Sequence, residues 1–349
     1  MRVVVVGATG NVGTSTVRAL AADPQVTSIV GVARRVPRWQ ADKTEWATAD
    51  VAGDDLRPHF RGADAVVHLA WLFQPTHDPV VTWRTNVLGS ERVFRAVAEA
   101  GVPALVYASS VGAYSPGPKD RSVDEDWPTH GYPAAAYSRE KAYVERLLDG
   151  FETEHRDCRV VRLRPGFIFK REAAAEQRRL FAGPLLPGAL VRPGVVPVLP
   201  DLPGLRFQAL HSADAGEAYR LAVVGDARGP FNLAAEPVIG TADLADVLGA
   251  RRIRVPARGV RAALAAAWRL RLLPAAPELF DLAMHVPVMD TARARDRLGW
   301  TPAHDGVAAM REFLEGLREG AGLDTPPLAP ETGGPLRIRE MLTGVGRRP

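Results

Sequence analysis

The sequence predicts an α/β protein built on a doubly wound parallel sheet, and three observations predict it. Apolar runs of strand length alternate with longer helical patterns through the first half of the chain. Those runs are nearly continuous in Val, Leu and Ala, the pattern of strands buried on both faces of a parallel sheet. The first run leads directly into glycines spaced G-x-x-G-x-x-G, in "VVVVGATGNVGTSTV", so a strand turns tightly into a helix. Right-handed crossovers then wind the sheet outward in both directions.

Taken in order, RVVVVG (2–7) is a strand and NVGTSTVRALAAD (11–23) a helix. SIVGVA (28–33), TEWATAD (44–50) and ADAVVHLAW (63–71) are strands. The stretch 79–100 is helical, and PALVYASS (103–110) is a strand. Residues 134–151 form a helix and CRVVRLRP (158–165) a strand. Beyond Arg164 proline and glycine become dense and the alternation stops, so 166–205 reads as loops and short helices on a substrate side. "LRFQALHSADAGEAYRLAV" (205–223) reads as a return to the sheet followed by a helix, and 240–320 as mostly helical. The Pro/Gly/Arg-rich tail, 323–349, is expected to be loosely held. The fold expected is Rossmann-like, with a dinucleotide-binding domain over 1–165. A smaller, mostly helical substrate region comes after it over 166–322, in which about 205–235 rejoins the sheet.

Composition narrows the function classes. The 349 residues are 46% hydrophobic and 24% charged, as in an ordinary globular protein. No apolar run approaches the ~20 residues that span a bilayer, so no membrane partner is expected. The opening apolar run breaks at Gly7, too early for a secretory leader, and the expected location is the cytoplasm. A single cysteine, Cys158, excludes an internal disulfide. The net charge of +4 comes from dispersed arginines with no basic block, which argues against nucleic acid. The histidines show no metal-ligand spacing.

The glycine turn is the first candidate site. Gly7 permits the turn, Gly10 lets the backbone approach a pyrophosphate, and Gly13 lets helix and strand pack closely. The helix N-terminus offers unpaired N–H groups to phosphate. The second strand ends "GVARRVPR", with Ala33 where an acidic residue would select NAD and Arg34 and Arg35 directly after it, so NADP is favoured and NAD is the alternative. Asp50, ending the third strand, either accepts from an adenine amino group or caps the next helix.

The second candidate is "YSREKAYVERLLDGF" (137–151). The chain has 44 Lys and Arg, of which only Lys43, Lys119, Lys141 and Lys170 are lysine. On a helix Tyr137, Lys141, Val144, Leu148 and Phe151 share one face, so Lys141 lies in an otherwise apolar stripe while Arg139, Glu140, Glu145 and Arg146 point elsewhere. An ammonium ~5 Å from a phenol at an effective dielectric near 20 favours the phenolate by roughly 3 kcal/mol, about two pH units. Lys141 is therefore expected to depress the pKa of Tyr137 toward neutrality and to hold a ribose; a snorkelling lysine is the plainer reading. Ser109 and Ser110 lie at the C-terminal end of a strand, where doubly wound sheets bind ligands, and Ser110 is the expected partner of a substrate oxygen.

With these residues in place, the chain resembles the extended short-chain dehydrogenase/reductases, the group that includes the NAD-dependent epimerase/dehydratase family. "GATGNVG" resembles the nucleotide turn, "ADAVVHLA" the fourth-strand motif, and "TNVLGSERVFRAVAEAGV" the helix whose Asn86 supports the site. "YASSVGAY" places Ser110 four residues before Tyr114, "YSREK" resembles the catalytic pair, "RLRPGFIF" the segment beside the nicotinamide, and "TARARDRLGWTP" the C-terminal signature. The resemblance implies catalysis by Ser110, Tyr137, Lys141 and Asn86. It implies cofactor contacts from Thr9, Asn11, Val12, Val51, Leu69, Ala70, Trp71, Lys141, Pro165 and Phe167 as well as the residues above, and substrate contacts from Ser110, Tyr137 and Phe167. It also implies a homodimer through the helices at 79–100 and 134–151.

Departures from the family pattern narrow the chemistry. Val111 and Gly112 follow Ser110 where sugar-nucleotide dehydratases carry an acid, which argues against elimination of water. Phe167 stands where epimerases carry Asn, which argues against a diphosphate-sugar. The 170–204 loop carries Phe181, Leu185, Leu186, Leu190 and Val198, which suits a less polar small molecule or simple packing. The reading is an NAD(P)-dependent enzyme transferring hydride between the nicotinamide and a carbonyl/alcohol substrate. An epimerase of a nucleotide-linked sugar with retained NAD is the alternative, and a non-catalytic NAD(P)-binding regulator a third. Trp127 and Tyr132 read as a pocket lid or as packing, and His211 as a substrate-side or packing residue.

Overall fold

A computed structural model describes residues 1–183 and 196–330. Seven strands form the central sheet: β1 (Arg2–Val6), β2 (Ser28–Ala33), β3 (Thr44–Thr48), β4 (Ala65–His68), β5 (Ala104–Ala108), β6 (Arg159–Pro165) and β7 (Gly229–Leu233). All pairings are parallel, in the order β7-β6-β5-β4-β1-β2-β3. The order reverses between β1 and β4, and the crevice outside their C-terminal ends is where such a sheet binds ligands.

Two cores flank the sheet. On one face α1 (Asn11–Ala22) packs with a later helix against Val3, Val5, Val67, Val106 and Leu163. On the other, α2 (Gly89–Glu99) and α3 (Ala136–Glu154) cover Val4, Val6, Val66, Leu105 and Tyr107. Alternate residues of β1 thus serve opposite cores, as the strand pleat requires. The remaining major helix of the first face is α4 (Ser212–Val224).

The predicted helix over 79–100 is one continuous element with a widened middle. Pro79–Trp83 is α-helical, Arg84–Leu88 is a π-turn, and α2 comes next. Single π-turns recur at functional positions, and this one carries Asn86. The return to the main sheet is made by β7, whereas Ala209–His211 pairs with Phe167–Phe169 in a separate two-stranded sheet, a correction to the expectation for 205–211. The C-terminal region adds short strands, Arg251–Arg254 and Val288–Met289, to its helices.

A second correction concerns the tail. Residues 323–330 are packed rather than loose: Thr325 and Leu328 are buried, and the Thr325 hydroxyl donates to the Thr9 carbonyl at 2.9 Å. Residues 331–349 lie outside the described residues, as do Leu185, Leu186 and Leu190.

A buried ion network fixes α3 to the sheet. Glu145 is fully enclosed and accepts two parallel bonds from Arg164, at 2.9 and 3.0 Å. It also accepts from Arg162 at 3.0 Å and from the Ser109 hydroxyl at 2.5 Å. Burial opposes the Glu145 carboxylate, but the charges and hydrogen bonds of Arg164 and Arg162 prevail and hold it down to about 2. Glu140 and Glu145, which the helical pattern sets off the apolar stripe, are both buried.

Because the folded value of Glu145 lies below its unfolded value of 4.5, its contribution is complete above pH 4.5 and is lost as pH falls through about 2. It is worth about 3 kcal/mol. Glu145→Gln, which leaves two buried guanidinium groups undercompensated, should lower stability near neutrality by roughly 3 kcal/mol or more. It should also flatten the dependence on pH between 4.5 and 2. Urea unfolding midpoints measured across that range check both.

Candidate active site

The glycine turn ends β1 and opens α1 at the crevice. Gly7 holds φ +86°, and a Cβ there would lie 2.6 Å from the Ala70 backbone nitrogen. At Gly13 a Cβ would lie 2.2 Å from the Gly7 carbonyl oxygen, so helix and turn touch backbone to backbone. No side chain caps the α1 N-terminus and its first turn carries no acid, which leaves backbone donors for phosphate.

One continuous cleft is lined by Gly7, Thr9, Gly10, Asn11, Val12, Gly13, Arg34, Arg35, Asp50, Val51, Leu69, Ala70 and Trp71. Ser110, Tyr137, Lys141, Pro165 and Phe167 line it as well. Of the predicted site residues, Asn86 stands apart from this wall. Its side chain donates to the Leu72 carbonyl at 2.8 Å and to Glu140 at 2.7 Å, and accepts from the Leu72 amide at 2.7 Å. Asn86 thereby clamps the 69–74 loop to α3, a supporting contact beside the site. Asp50 lines the cleft and accepts from the Ala52 amide at 2.9 Å, so it caps a turn rather than a helix.

Helix α3 presents Tyr137 and Lys141 to the end of β5. The Tyr137 hydroxyl donates to Ser110 Oγ at 2.9 Å, and the Gly112 amide donates to the same oxygen at 2.9 Å. With both lone pairs of Ser110 engaged, its own proton is free for a third oxygen. A Cβ on Gly112 would fall 2.7 Å from the Tyr137 ring, so the absence of a side chain there makes room for the phenol. Lys141 is buried; its ammonium donates to the Ala108 carbonyl at 2.7 Å and sits 3.4 Å from the centroid of the Trp71 ring.

The electrostatics overturn one expectation. Burial pushes Tyr137 up to about 12, the Ser110 hydrogen bond pulling the other way and Glu140 adding to the rise. Burial also pulls Lys141 down to about 7 against the pull of Glu140 and Glu145. The Lys141 ammonium is turned to the Ala108 carbonyl and the Trp71 face, and at Tyr137 burial of the phenol prevails, so the expected depression is not found.

Several cleft residues escaped sequence reasoning. Phe73 stacks on Tyr137 at 5.1 Å, and Phe181, which the sequence already puts on the substrate side, meets Phe73 edge-on at 5.6 Å. Leu279, Leu282 and Val286 line the same end. The signal for Phe73 was present, two residues beyond Trp71 after a strand, but the pairing with Tyr137 is a tertiary fact. Trp127 and Tyr132 pack in a cluster with Val111 and Tyr114, and Tyr132 stacks on His285, so they are packing residues. His211 accepts from the Ala213 amide and faces Glu312 and His304. Among the described residues no group of three or more His, Cys, Asp or Glu is arranged to hold a metal.

The cleft fits a nicotinamide dinucleotide on grounds of its own. Buried polar atoms without partners, Asn11 Oδ1 and Trp71 Nε1, lie on lining residues. Gly10, beside the uncapped helix, has only the Gly7 carbonyl within 4 Å of where a Cβ would stand.

Comparison with known proteins agrees with this geometry. Residues 3–181 match the model of the NAD dependent epimerase/dehydratase family. An uncharacterized protein of Mycobacterium tuberculosis (strain H37Rv) is 27% identical over 329 residues, 93% of this chain and 31% of that protein. The chain therefore spans less than a third of the first curated relatives it matches. The NAD-dependent glucose-6-phosphate dehydrogenase of Haloferax volcanii is 31% identical over 151 residues, 40% of this chain and 56% of that one. The UDP-glucose 4-epimerase of Thermus thermophilus, solved in complex with NAD, shares the fold at TM-score 0.67, with 22% identity over 91% of this chain and 99% of that one.

The enclosure of Lys141 makes a specific demand on size. A guanidinium does not fit between the Ala108 carbonyl and the Trp71 face without displacing one of them. Lys141→Arg, which replaces a compact ammonium with a larger permanent cation, should lower kcat/KM more than tenfold and lower the melting temperature; steady-state kinetics and thermal unfolding check it.

Proposed function

This chain belongs to the NAD-dependent epimerase/dehydratase family, and on that premise we propose that it is an oxidoreductase interconverting a carbonyl and an alcohol with a nicotinamide dinucleotide. The observation that carries the reading is the Tyr137–Ser110 hydrogen bond at 2.9 Å, set in a cleft whose far end is aromatic and aliphatic. The dinucleotide, when bound, gives or takes the hydride. Gly7, Gly10, Gly13 and the α1 N-terminus hold its pyrophosphate, and Lys141 its ribose. Arg34 and Arg35 lie at the end of β2, where they favour the 2′-phosphate of NADP; NAD, bound by the T. thermophilus structural relative, is the alternative.

In the direction of reduction, Ser110 donates its free proton as a hydrogen bond to the substrate carbonyl oxygen. Tyr137, held protonated by burial, delivers its proton to that oxygen as negative charge develops there. Asn86 and Glu145 keep α3, and so the phenol, in register with Ser110. The substrate is a small ketone or secondary alcohol of low polarity, received by Phe73, Phe167, Leu180, Phe181 and Leu282.

We also place the protein in the cytoplasm as a homodimer. Val80 is 73% exposed, and Leu88 and Tyr143 are exposed on neighbouring helices, an apolar face that a second copy would cover. Among the described residues no helix is long and apolar enough to cross a membrane.

Screening ketones and sugar nucleotides with NADPH and NADH by loss of nicotinamide absorbance tests the reading; turnover of a nucleotide sugar without net cofactor consumption would sink it. Tyr137→Phe should cost roughly 10²–10⁴ in rate with cofactor affinity nearly intact. Because burial pushes the phenol up to about 12, its titration should not reduce the rate of reduction through neutrality, whereas alcohol oxidation, which needs the phenolate, should rise steadily toward alkaline pH. Rate profiles in both directions check the sign. Sedimentation at micromolar concentration should give twice the mass of one chain.

A further inference from the structure

Tyr219 enters the cleft from beneath the sheet and has no role in the chemistry above. It belongs to α4, on the face opposite the one that α3 covers, and packs in the core with Val5, Val67 and Val106. Its side chain is 1% exposed, yet it lines the same cleft as Tyr137. Among the described residues its buried hydroxyl has no hydrogen-bond partner. Helical side chains lean toward the helix N-terminus. That end of α4 lies at the glycine turn, where the Ser212 hydroxyl donates to the Asn11 carbonyl at 3.1 Å. Tyr219 therefore leans toward the C-terminal edge of the sheet, where the cleft opens.

A buried phenol with no partner is a net cost that phenylalanine would avoid at equal volume. Tyr107 has an unpartnered hydroxyl too, but it does not line the cleft. α4 packs on β4, β5 and β6, whose C-terminal ends lead to Ala70, Ser110 and Pro165, so the orphan hydroxyl lies toward the reacting end of the cleft and not its adenine end. At that end a nicotinamide dinucleotide presents one flat group with both a donor and an acceptor, the carboxamide.

We propose that the Tyr219 hydroxyl is the protein's ligand for the nicotinamide carboxamide and so fixes which face of the ring is turned to the substrate. The assignment rests on the reading of the cleft as a nicotinamide site. Tyr219 is a positioning residue: it acts on the orientation of the ring and moves no proton.

The experiment compares wild type with Tyr219→Phe by calorimetric titration. The ligands are whichever of NAD⁺ and NADP⁺ the wild type binds more tightly, and its nicotinamide-free counterpart, ADP-ribose or 2′-phospho-ADP-ribose. The variant should bind the dinucleotide roughly three- to tenfold more weakly, the worth of one hydrogen bond. It should bind the nicotinamide-free ligand as the wild type does, and its ligand-free melting temperature should be unchanged or raised. Equal dinucleotide affinity in the two proteins would overturn the assignment, leaving the hydroxyl to a buried water. An equal loss for both ligands would also overturn it, marking general damage. If the wild type binds neither dinucleotide, the nicotinamide reading itself falls and takes this assignment with it.

Discussion

One buried carboxylate organises the catalytic side of this protein. Glu145 leaves the inner flank of α3 and meets Arg164 and Arg162 of β6 and Ser109 just beyond β5, tying one helix to two strands at the point where the reactive groups emerge. A carboxylate removed from water is tolerable only when its lone pairs are all engaged, and here they are. Earlier on the same helix Glu140 repeats the device, accepting from Thr82 at 2.6 Å and from Asn86 at 2.7 Å. Asn86 in turn holds both backbone groups of Leu72. The helix is thus braced toward the sheet by one acid and toward the cofactor loop by the other. Tyr137 and Lys141 share its remaining face.

The bracing explains how the chain divides its cations. Arginine serves where a planar fork is wanted, as in the two parallel bonds from Arg164 to Glu145. Lysine appears where the space admits only a compact ammonium. Lys141 is enclosed by a carbonyl and an indole face. Lys170 is enclosed beneath the glycine turn, donating to the Asn11 carbonyl at 2.8 Å and to Thr14 at 2.6 Å. Burial lowers both, to about 7 and about 8. Two of the four lysines are therefore buried, one lining the cleft and one beneath the glycine turn, in a chain that elsewhere prefers arginine. Lys170 adds positive charge beneath the uncapped N-terminus of α1.

Much of this was legible in the sequence because it is local. The glycine spacing, the strand-like valine runs and the Tyr137/Lys141 pairing one helical turn apart are fixed by neighbours within a few residues. The hidden part depends on distant segments. Phe73 and Phe181 lie far apart in the sequence, and no periodicity brings them to one phenol. The π-turn at Arg84–Leu88 shifts Asn86 inward, which a regular helix pattern does not foretell. Proximity to a cation alone predicts an acidic Tyr137, and the burial of both partners, a tertiary property, reverses the sign. A signal for the Glu145 network was available: Arg162 and Arg164 interrupt an otherwise apolar strand, and a buried strand keeps arginine only opposite an acid.

The C-terminal segment shows the same limit of composition as a guide. Its prolines and glycines read as looseness, yet 323–330 joins the two halves of the cleft. The Asp324 carbonyl accepts from the Trp39 amide at 2.8 Å, Thr325 reaches the glycine turn at Thr9, and Pro327 forms part of the cleft wall. From the substrate side Arg179 donates to the carbonyls of Pro327 and Ala329. Proline has few unfolded conformations to lose, so a short proline-bearing segment needs only a few such anchors to be held. These anchors lie on the nucleotide turn and on the substrate-side helix alike. Any displacement of one half relative to the other is therefore felt through this segment, and the geometry that Glu145 sets on one side of the cleft is matched here by a tie across the other.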